Sequence, residues 1–304
     1  MSKKQLGILA LLGATLFWGG GPVIVKLGLK EVLPYTFAFF RLLIAFLVLL
    51  PILLLNKQHK VLKSDISTFV MVGIFGAGIN SIFFISGIFR TSASMSAAIF
   101  ATVPLINSIA AAVFLKEKPT KVRVFGVIVG FIGSFILTLG GRFFSSDGEG
   151  GDILGNIFIL GAAISWVAYI IISKRLLERY SPLVISTYSF LIGAMMTFPL
   201  FYFEILQNPA WYQNIGIQGI ISILYGAIFA AVLAFLLFQI GTKYTSAFVA
   251  GAVIYLQPVI TTTLAIPILG EHPNSTFIIG TGLILAGVFL VTSYEMIKKR
   301  KNRI

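Results

Sequence analysis

Two prolines stand 154 positions apart in strongly apolar surroundings, Pro104 in "IFATVPLIN" and Pro258 in "IYLQPVITT". A proline inside a helix removes one backbone hydrogen bond and frees the carbonyl four residues back, here those of Phe100 and Ile254. In an apolar medium such a carbonyl needs a partner or a watery cavity. Polar groups suited to the same task lie beside both prolines: Asn107 and Ser108 near the first, and Tyr255, Gln257, Thr261 and Thr262 near the second. At helical spacing Ser96, Phe100, Pro104 and Asn107 share one face, as do Ala250, Ile254, Pro258 and Thr261. The chemistry on offer is non-covalent, with carbonyls, amides and hydroxyls that hold a polar solute. Two bends that serve only packing are the plainer alternative.

Other candidates are spread along the chain. Thr15 and Trp18 are three apart and so share a helical face, just ahead of "GGGP" at 19–22, where a helix can yield; Trp166 and Tyr169 repeat that spacing. Both tryptophans lie about 13 residues into their apolar runs, deeper than the interfacial belt that Trp usually occupies. Asn80 is the most polar residue at mid-depth of its run, and Phe84, Phe100 and Tyr225 add aromatic surface. Arg41 is a charge within an apolar run, seven residues beyond Pro34 or about 10 Å along a helix. Such a charge is a functional candidate, for instance as anchor for a carboxylate, although its long stem can also reach for the interface. The expected substrate-binding set is therefore Thr15, Trp18, Arg41, Asn80, Phe84, Phe100, Asn107, Trp166, Tyr169, Tyr225, Tyr255 and Gln257, with Pro104 and Pro258 as hinges.

Covalent chemistry is not expected. There is no cysteine, both histidines (His59 and His272) sit in loops, and no Asp or Glu falls in the middle of an apolar run. That leaves no nucleophile–base pair, carboxylate pair or metal-ligand set, so neither an enzyme, a cofactor nor a metal is anticipated.

These residues need elements to position them. Hydrophobic residues make up 58% of the 304 positions and charged residues 11%, against about 25% charged in soluble domains. Ten apolar runs, each long enough to cross a bilayer core about 30 Å thick, lie at about 5–26, 34–55, 66–89, 93–115, 121–141, 153–174, 182–204, 217–241, 246–269 and 275–296. They do not alternate polar with apolar, which argues against a barrel. The predicted fold is an all-α integral membrane protein. The net charge of +13 is not a nucleic-acid footprint, because threading the runs alternately puts 18 of the 23 Lys and Arg on one side. Such asymmetry is the positive-inside rule and predicts that both termini are cytoplasmic.

The chain also repeats itself. At a spacing of 154, Phe75 matches Phe229, Phe84 matches Phe238, Gly87 matches Gly241, Glu117 matches Glu271, Gly126 matches Gly280 and Gly133 matches Gly287. Earlier the spacing is 148: Gly7 matches Gly155, Trp18 matches Trp166, Lys26 matches Lys174, Pro34 matches Pro182 and Arg41 falls opposite Ser189. Fixed spacing over long blocks marks a duplicated unit. Each unit holds five spans, an odd number, so the second must enter the membrane from the opposite side. That accounts for "FLKEKPTKVRVFG" at 114–126 being rich in Lys and Arg while its copy "ILGEHPNSTFIIG" at 268–280 has none. The organisation expected is a first five-helix repeat at 1–144, an external linker "SSDGEGGD" at 145–152, and an inverted second repeat at 153–304. Inverted repeats are a common plan of secondary transporters, with the site near the midplane between halves. Glycines in "GVIVG" of the fifth span suit close packing inside the monomer, or a homodimer seam.

With "ATLFWGGGPVIVK", "LPYTFAFFRLLIAFLVLLPI", "FLKEKPTKVRVFGVIVGFIG" and "LQPVITTTLAIPILGEHPNSTFIIGTGLILAGVFL" in place, the chain resembles a ten-span, EamA-type exporter of the drug/metabolite transporter superfamily. The resemblance implies alternating access, with helices 1, 3, 4, 6, 8 and 9 around a central cavity and helices 5 and 10 as outer support. It also implies a cell-membrane carrier that exports an amino acid or related metabolite. The small multidrug-resistance relatives use a membrane-embedded Glu in helix 1, where this chain has "LLGATLFW", so cation export by that route is not expected. The reading is a facilitative carrier, its partners a small-molecule substrate and the lipid bilayer; proton or sodium coupling to another organic solute, and a channel, are the alternatives.

Overall fold

The computed structural model describes residues 2–55, 60–114, 120–143, 152–245 and 256–301. Among these residues ten helical spans follow one another as the apolar runs predict: α1 (Lys3–Gly28), α2 (Pro34–Leu55), α3 (Lys63–Arg90), α4 (Ala93–Phe100 and Val103–Phe114), α5 (Lys121–Phe143), α6 (Ile153–Leu176), α7 (Pro182–Gln207), α8 (Ile217–Tyr244), α9 (Gln257–Leu269) and α10 (Ser275–Lys301). Residues 246–255, with Ala250, Ile254 and Tyr255, lie outside the described residues, as do 115–119 with Glu117 and most of the 145–152 linker. Large apolar side chains such as Leu55, Phe135, Met195 and Phe289 point outward, a surface that belongs in lipid rather than water.

The helices begin where the sequence supplies caps. Ser2 and Gln5 cap α1 reciprocally, Ser92 caps α4, and Asp152 caps α6. Ser181 caps α7 just ahead of Pro182, whose missing N–H is harmless in a first turn. α9 ends at Gly270, where φ is 68°, a left-handed turn that favours glycine.

The single face expected through Ser96, Phe100, Pro104 and Asn107 does not form. The helix stops at Phe100, turns through Ala101 and Thr102, and resumes at Val103 with Pro104 as its second residue. The proline thus starts a helix instead of bending one, and the polar turn is closed by Thr102 N donating to Ile99 O. Pro258 is likewise the second residue of α9.

Two irregularities were invisible in residue types. α3 contains a π-helical segment at Ile74–Ile79, and α8 contains one at Gly226–Leu233. Shifted by 154 positions, the first falls inside the second, so the deformation is part of the duplicated unit. Each widened turn has a carbonyl satisfied from the other repeat. Ser165 Oγ donates to Phe75 O at 2.6 Å, and Trp18 Nε1 donates to Ala230 O at 2.8 Å. π-Bulges of this kind are often kept at functional sites.

α5 and α10 pack along each other through small residues. A Cβ on Gly133 would strike the carbonyl of Gly280, and one on Gly287 would strike the carbonyl of Gly126. The two contacts are repeat copies of each other. The glycine face of α5 is therefore used within the chain.

One face of the bundle is clasped by carboxylates reaching across the repeats to helix N-termini. Glu31, after α1, accepts from Gly216 N and Gly219 N (3.1 and 2.6 Å) at the start of α8. Glu204, in α7, accepts from Tyr35 N, Thr36 N and Thr36 Oγ1 (3.1, 2.6 and 2.9 Å) at the start of α2. Glu271, after α9, accepts from Ala93 N and Ser94 N (2.6 and 3.0 Å) at the start of α4. Orphan N–H groups and the helix dipole both favour an anion there. On the same face Lys26 Nζ donates to the carbonyls of Ile88, Phe89 and Thr91 at the end of α3. On the opposite face Tyr180 donates to Asp65, which also meets Arg179; burial, and then the hydrogen bond to Asp65, push the Tyr180 phenol above its ordinary value.

Candidate functional site

Near the middle of α1 and α6, Trp18 and Trp166 meet edge to face, their ring centroids 5.2 Å apart. They are repeat equivalents, and residues related by a two-fold axis touch each other only on that axis. The pair marks the centre of the pseudo-symmetric bundle. Phe235 and Phe238 pack against both rings at 5.2–5.9 Å.

A cavity of about 80 Å³ opens beside this pair. That is several times the about 10–15 Å³ that a single buried water requires. Of the sequence candidates, Trp18, Arg41, Asn80, Phe84, Phe100, Trp166 and Gln257 border it. Sequence reasoning missed the small residues of the π-segments, Gly76 and Ala77 in α3 and Ala230 and Ala231 in α8, which border it from both repeats. They are copies at the 154 spacing, and paired small residues at matching depth were the available signal. Phe190 of α7 and Leu42 of α2 also border the cavity. The wall therefore includes α2 and α7, beyond the six helices that the resemblance implied.

The remaining candidates are placed elsewhere. The Thr15 hydroxyl donates to Leu11 O within α1 at 2.9 Å. The Tyr225 hydroxyl donates to Phe17 O at 2.9 Å, and its ring stacks on Phe229. Tyr169 is fully buried under Trp166, with Gln239 Nε2 donating to its hydroxyl. Asn107 is half-buried on the second segment of α4, and like Pro104 and Pro258 it does not border the cavity. Tyr255 lies outside the described residues.

The polar groups of the cavity are unevenly charged. Arg41 Nη2 donates to Ser81 Oγ at 2.7 Å, while its buried Nε has no acceptor among the described residues. No carboxylate among the described residues pairs with it. Asn80 Nδ2 donates to Ala162 O at 2.9 Å, leaving its amide oxygen available. The Gln257 side chain has no hydrogen-bond partner among the described residues, and the buried Trp166 Nε1 has none either. An unpaired guanidinium and spare amides on an aromatic wall suit a small solute with an anionic group and an apolar part. No cluster of ligating side chains for a metal occurs among the described residues.

A multi-pass helical membrane protein, with two five-helix units closing on a central cavity, has the architecture of a carrier. The sequence profile of the EamA-like transporter family matches residues 5–139 and 153–293, one match for each unit. The chain belongs to that family, within the drug/metabolite transporter superfamily, and is a transporter and not an enzyme. It is 28% identical over 88% of its length to an uncharacterized transporter of Clostridium kluyveri, covering 86% of that protein. It is 29% identical over 98% of its length to the uncharacterized transporter YetK of Bacillus subtilis, covering 89% of that protein. A solved crystal structure superposes with a TM-score of 0.68 at 19% identity, covering 95% of this chain and 98% of the other, which shows a shared fold.

Proposed function

We propose that the protein carries a small metabolite, an amino acid or a related carboxylate-bearing compound, out of the cytoplasm by alternating access. The single observation behind this reading is Arg41, a guanidinium on the cavity wall with one hydrogen bond and no counter-ion among the described residues. A buried charge without a partner is costly, and a substrate carboxylate would supply that partner. Spare amides at Asn80 and Gln257 would meet the rest of the polar head, and Phe84, Phe100 and Phe190 its apolar part.

The cavity wall holds no Asp or Glu among the described residues, which supports transport down the substrate gradient without obligatory proton exchange. The charge asymmetry of the loops supports a cell-membrane location with both termini in the cytoplasm, so that the Glu31–Glu204–Glu271 face is external. The α5–α10 seam uses the glycine face internally, which favours a monomer. A thermal-shift screen of purified protein against amino acids and their decarboxylated amines tests the reading. Stabilisation by amino acids and not by the matching amines is expected; stabilisation by the amines alone contradicts it.

A further inference from the structure

The two repeats furnish the two sides of the Trp18–Trp166 pair differently. Gly21, in α1, is buried and borders the cavity, yet a Cβ built on it would meet no atom of the described residues within 4 Å. Its neighbours in "GGGP" are not like this. A Cβ on Gly19 would strike Ile260 at 2.7 Å, and one on Gly20 would meet the Tyr225 hydroxyl at 3.0 Å. Among the described residues, Gly21 alone of the three has open space where a side chain would stand.

At the repeat spacing of 148, the equivalent of Gly21 is Tyr169. That ring is fully buried, tilted against Trp166 and Phe235 with centroids 4.7 and 5.7 Å away, pressed on Gly76, and held by Gln239. Neighbouring positions show the same contrast: Asn80 corresponds to Ala234, Ser81 to Phe235, and Arg41 to Ser189. One half-chamber carries the charge of Arg41 and is partly empty; its copy has no charged counterpart there and is filled by a tyrosine.

We infer that Gly21 sets the size limit of the substrate, its missing side chain being the space that the substrate's variable group occupies, while Tyr169 plugs the equivalent space in the other half. The inference rests on the proposed transport of a small solute for its ligand panel, but not for the space itself. A helix glycine placed ahead of Pro22 for flexibility would predict no dependence on ligand size.

The test uses the full chain in detergent with Gly21→Ala, Gly21→Val and, as control, Gly19→Val. Melting temperature is measured alone and with glycine, alanine, valine, leucine and phenylalanine. Gly21→Ala and Gly21→Val should fold with melting temperatures at or above wild type, whereas Gly19→Val should be clearly destabilised. Affinity for the largest amino acid that wild type binds should fall by at least ~10–200-fold in Gly21→Val, the range for a single methylene in a hydrophobic pocket, with the smallest bound one little changed. Destabilisation of Gly21→Val equal to that of Gly19→Val, or equal losses for all ligands, overturns the inference. Should no amino acid bind wild type, the amino-acid reading fails while the space is judged separately. In this cysteine-free chain, Gly21→Cys should react with a small methanethiosulfonate under native conditions and Gly19→Cys should not; an unreactive Gly21→Cys refutes the inference.

Discussion

Trp18 and Trp166 occupy the same place in the two repeats and touch edge to face at 5.2 Å, yet only Trp18 uses its indole N–H. That N–H donates to the Ala230 carbonyl in the π-segment of α8, while Trp166 Nε1 is buried without an acceptor among the described residues. Losing one partner of a buried hydrogen bond leaves the other orphaned at about 1–3 kcal/mol. Trp18→Phe should therefore lower the melting temperature of the purified protein more than Trp166→Phe does. Equal effects would mean that the hydrogen bond contributes nothing beyond ring packing.

The carboxylate clasps predict a coupled effect on access. Glu204→Gln and Glu31→Gln keep side-chain size but remove the charge facing the helix N-termini, each weakening its contact by about 0.3–2 kcal/mol. Both variants should fold, and a cysteine introduced at Thr36 should label faster in each variant background than in Thr36→Cys alone. Unchanged labelling rates would show that the clasps do not hold this face closed.

Packing between α5 and α10 leaves no room for side chains at the glycine contacts. Gly133→Leu should disrupt folding, since the added atoms meet the Gly280 backbone, which cannot move aside as a flexible side chain can. Light scattering of the wild-type protein in detergent should report a monomer. A folded Gly133→Leu protein would contradict this packing, and a wild-type dimer converted to monomer by it would move the seam between chains.

Orientation is tested with single cysteines at Ser64 and Ser146. The charge distribution predicts that an impermeant thiol reagent added to intact cells labels Ser146→Cys and spares Ser64→Cys. The reverse pattern would invert the topology, and with it the direction of export.

Much of this fold was legible because bilayer physics writes it plainly. Ten apolar runs, the sided Lys and Arg, and the copies at 148 and 154 specify spans and inversion before any coordinates. The site was less so. Trp18, Arg41, Asn80 and Gln257 stand out as polar or aromatic groups at depth, and they border the cavity. Pro104 drew attention to the right break for the wrong reason, since a proline that begins a helix and one that bends it are the same letter. The π-segments at Ile74–Ile79 and Gly226–Leu233 carry no residue signature, because an extra residue per turn is a matter of backbone and of who satisfies Phe75 O and Ala230 O. Tyr169 resembled a ligand contact by type; only its partner Gln239 and its complete burial assign it to packing.

The central claim, a carrier that holds a carboxylate on Arg41, is tested most directly by counterflow in proteoliposomes. Wild type, Arg41→Lys and Arg41→Gln are reconstituted with the amino acid identified by the thermal-shift screen, labelled outside and unlabelled inside. Wild-type uptake should saturate, accelerate with unlabelled substrate on the far side, and ignore an imposed pH gradient. Arg41→Gln should lose at least ~30-fold in apparent affinity, the scale of removing one partner of a buried charge pair, and Arg41→Lys should retain part of it. Linear flux that Arg41→Gln leaves unchanged, or uphill accumulation driven by pH alone and abolished by an uncoupler, would contradict the account.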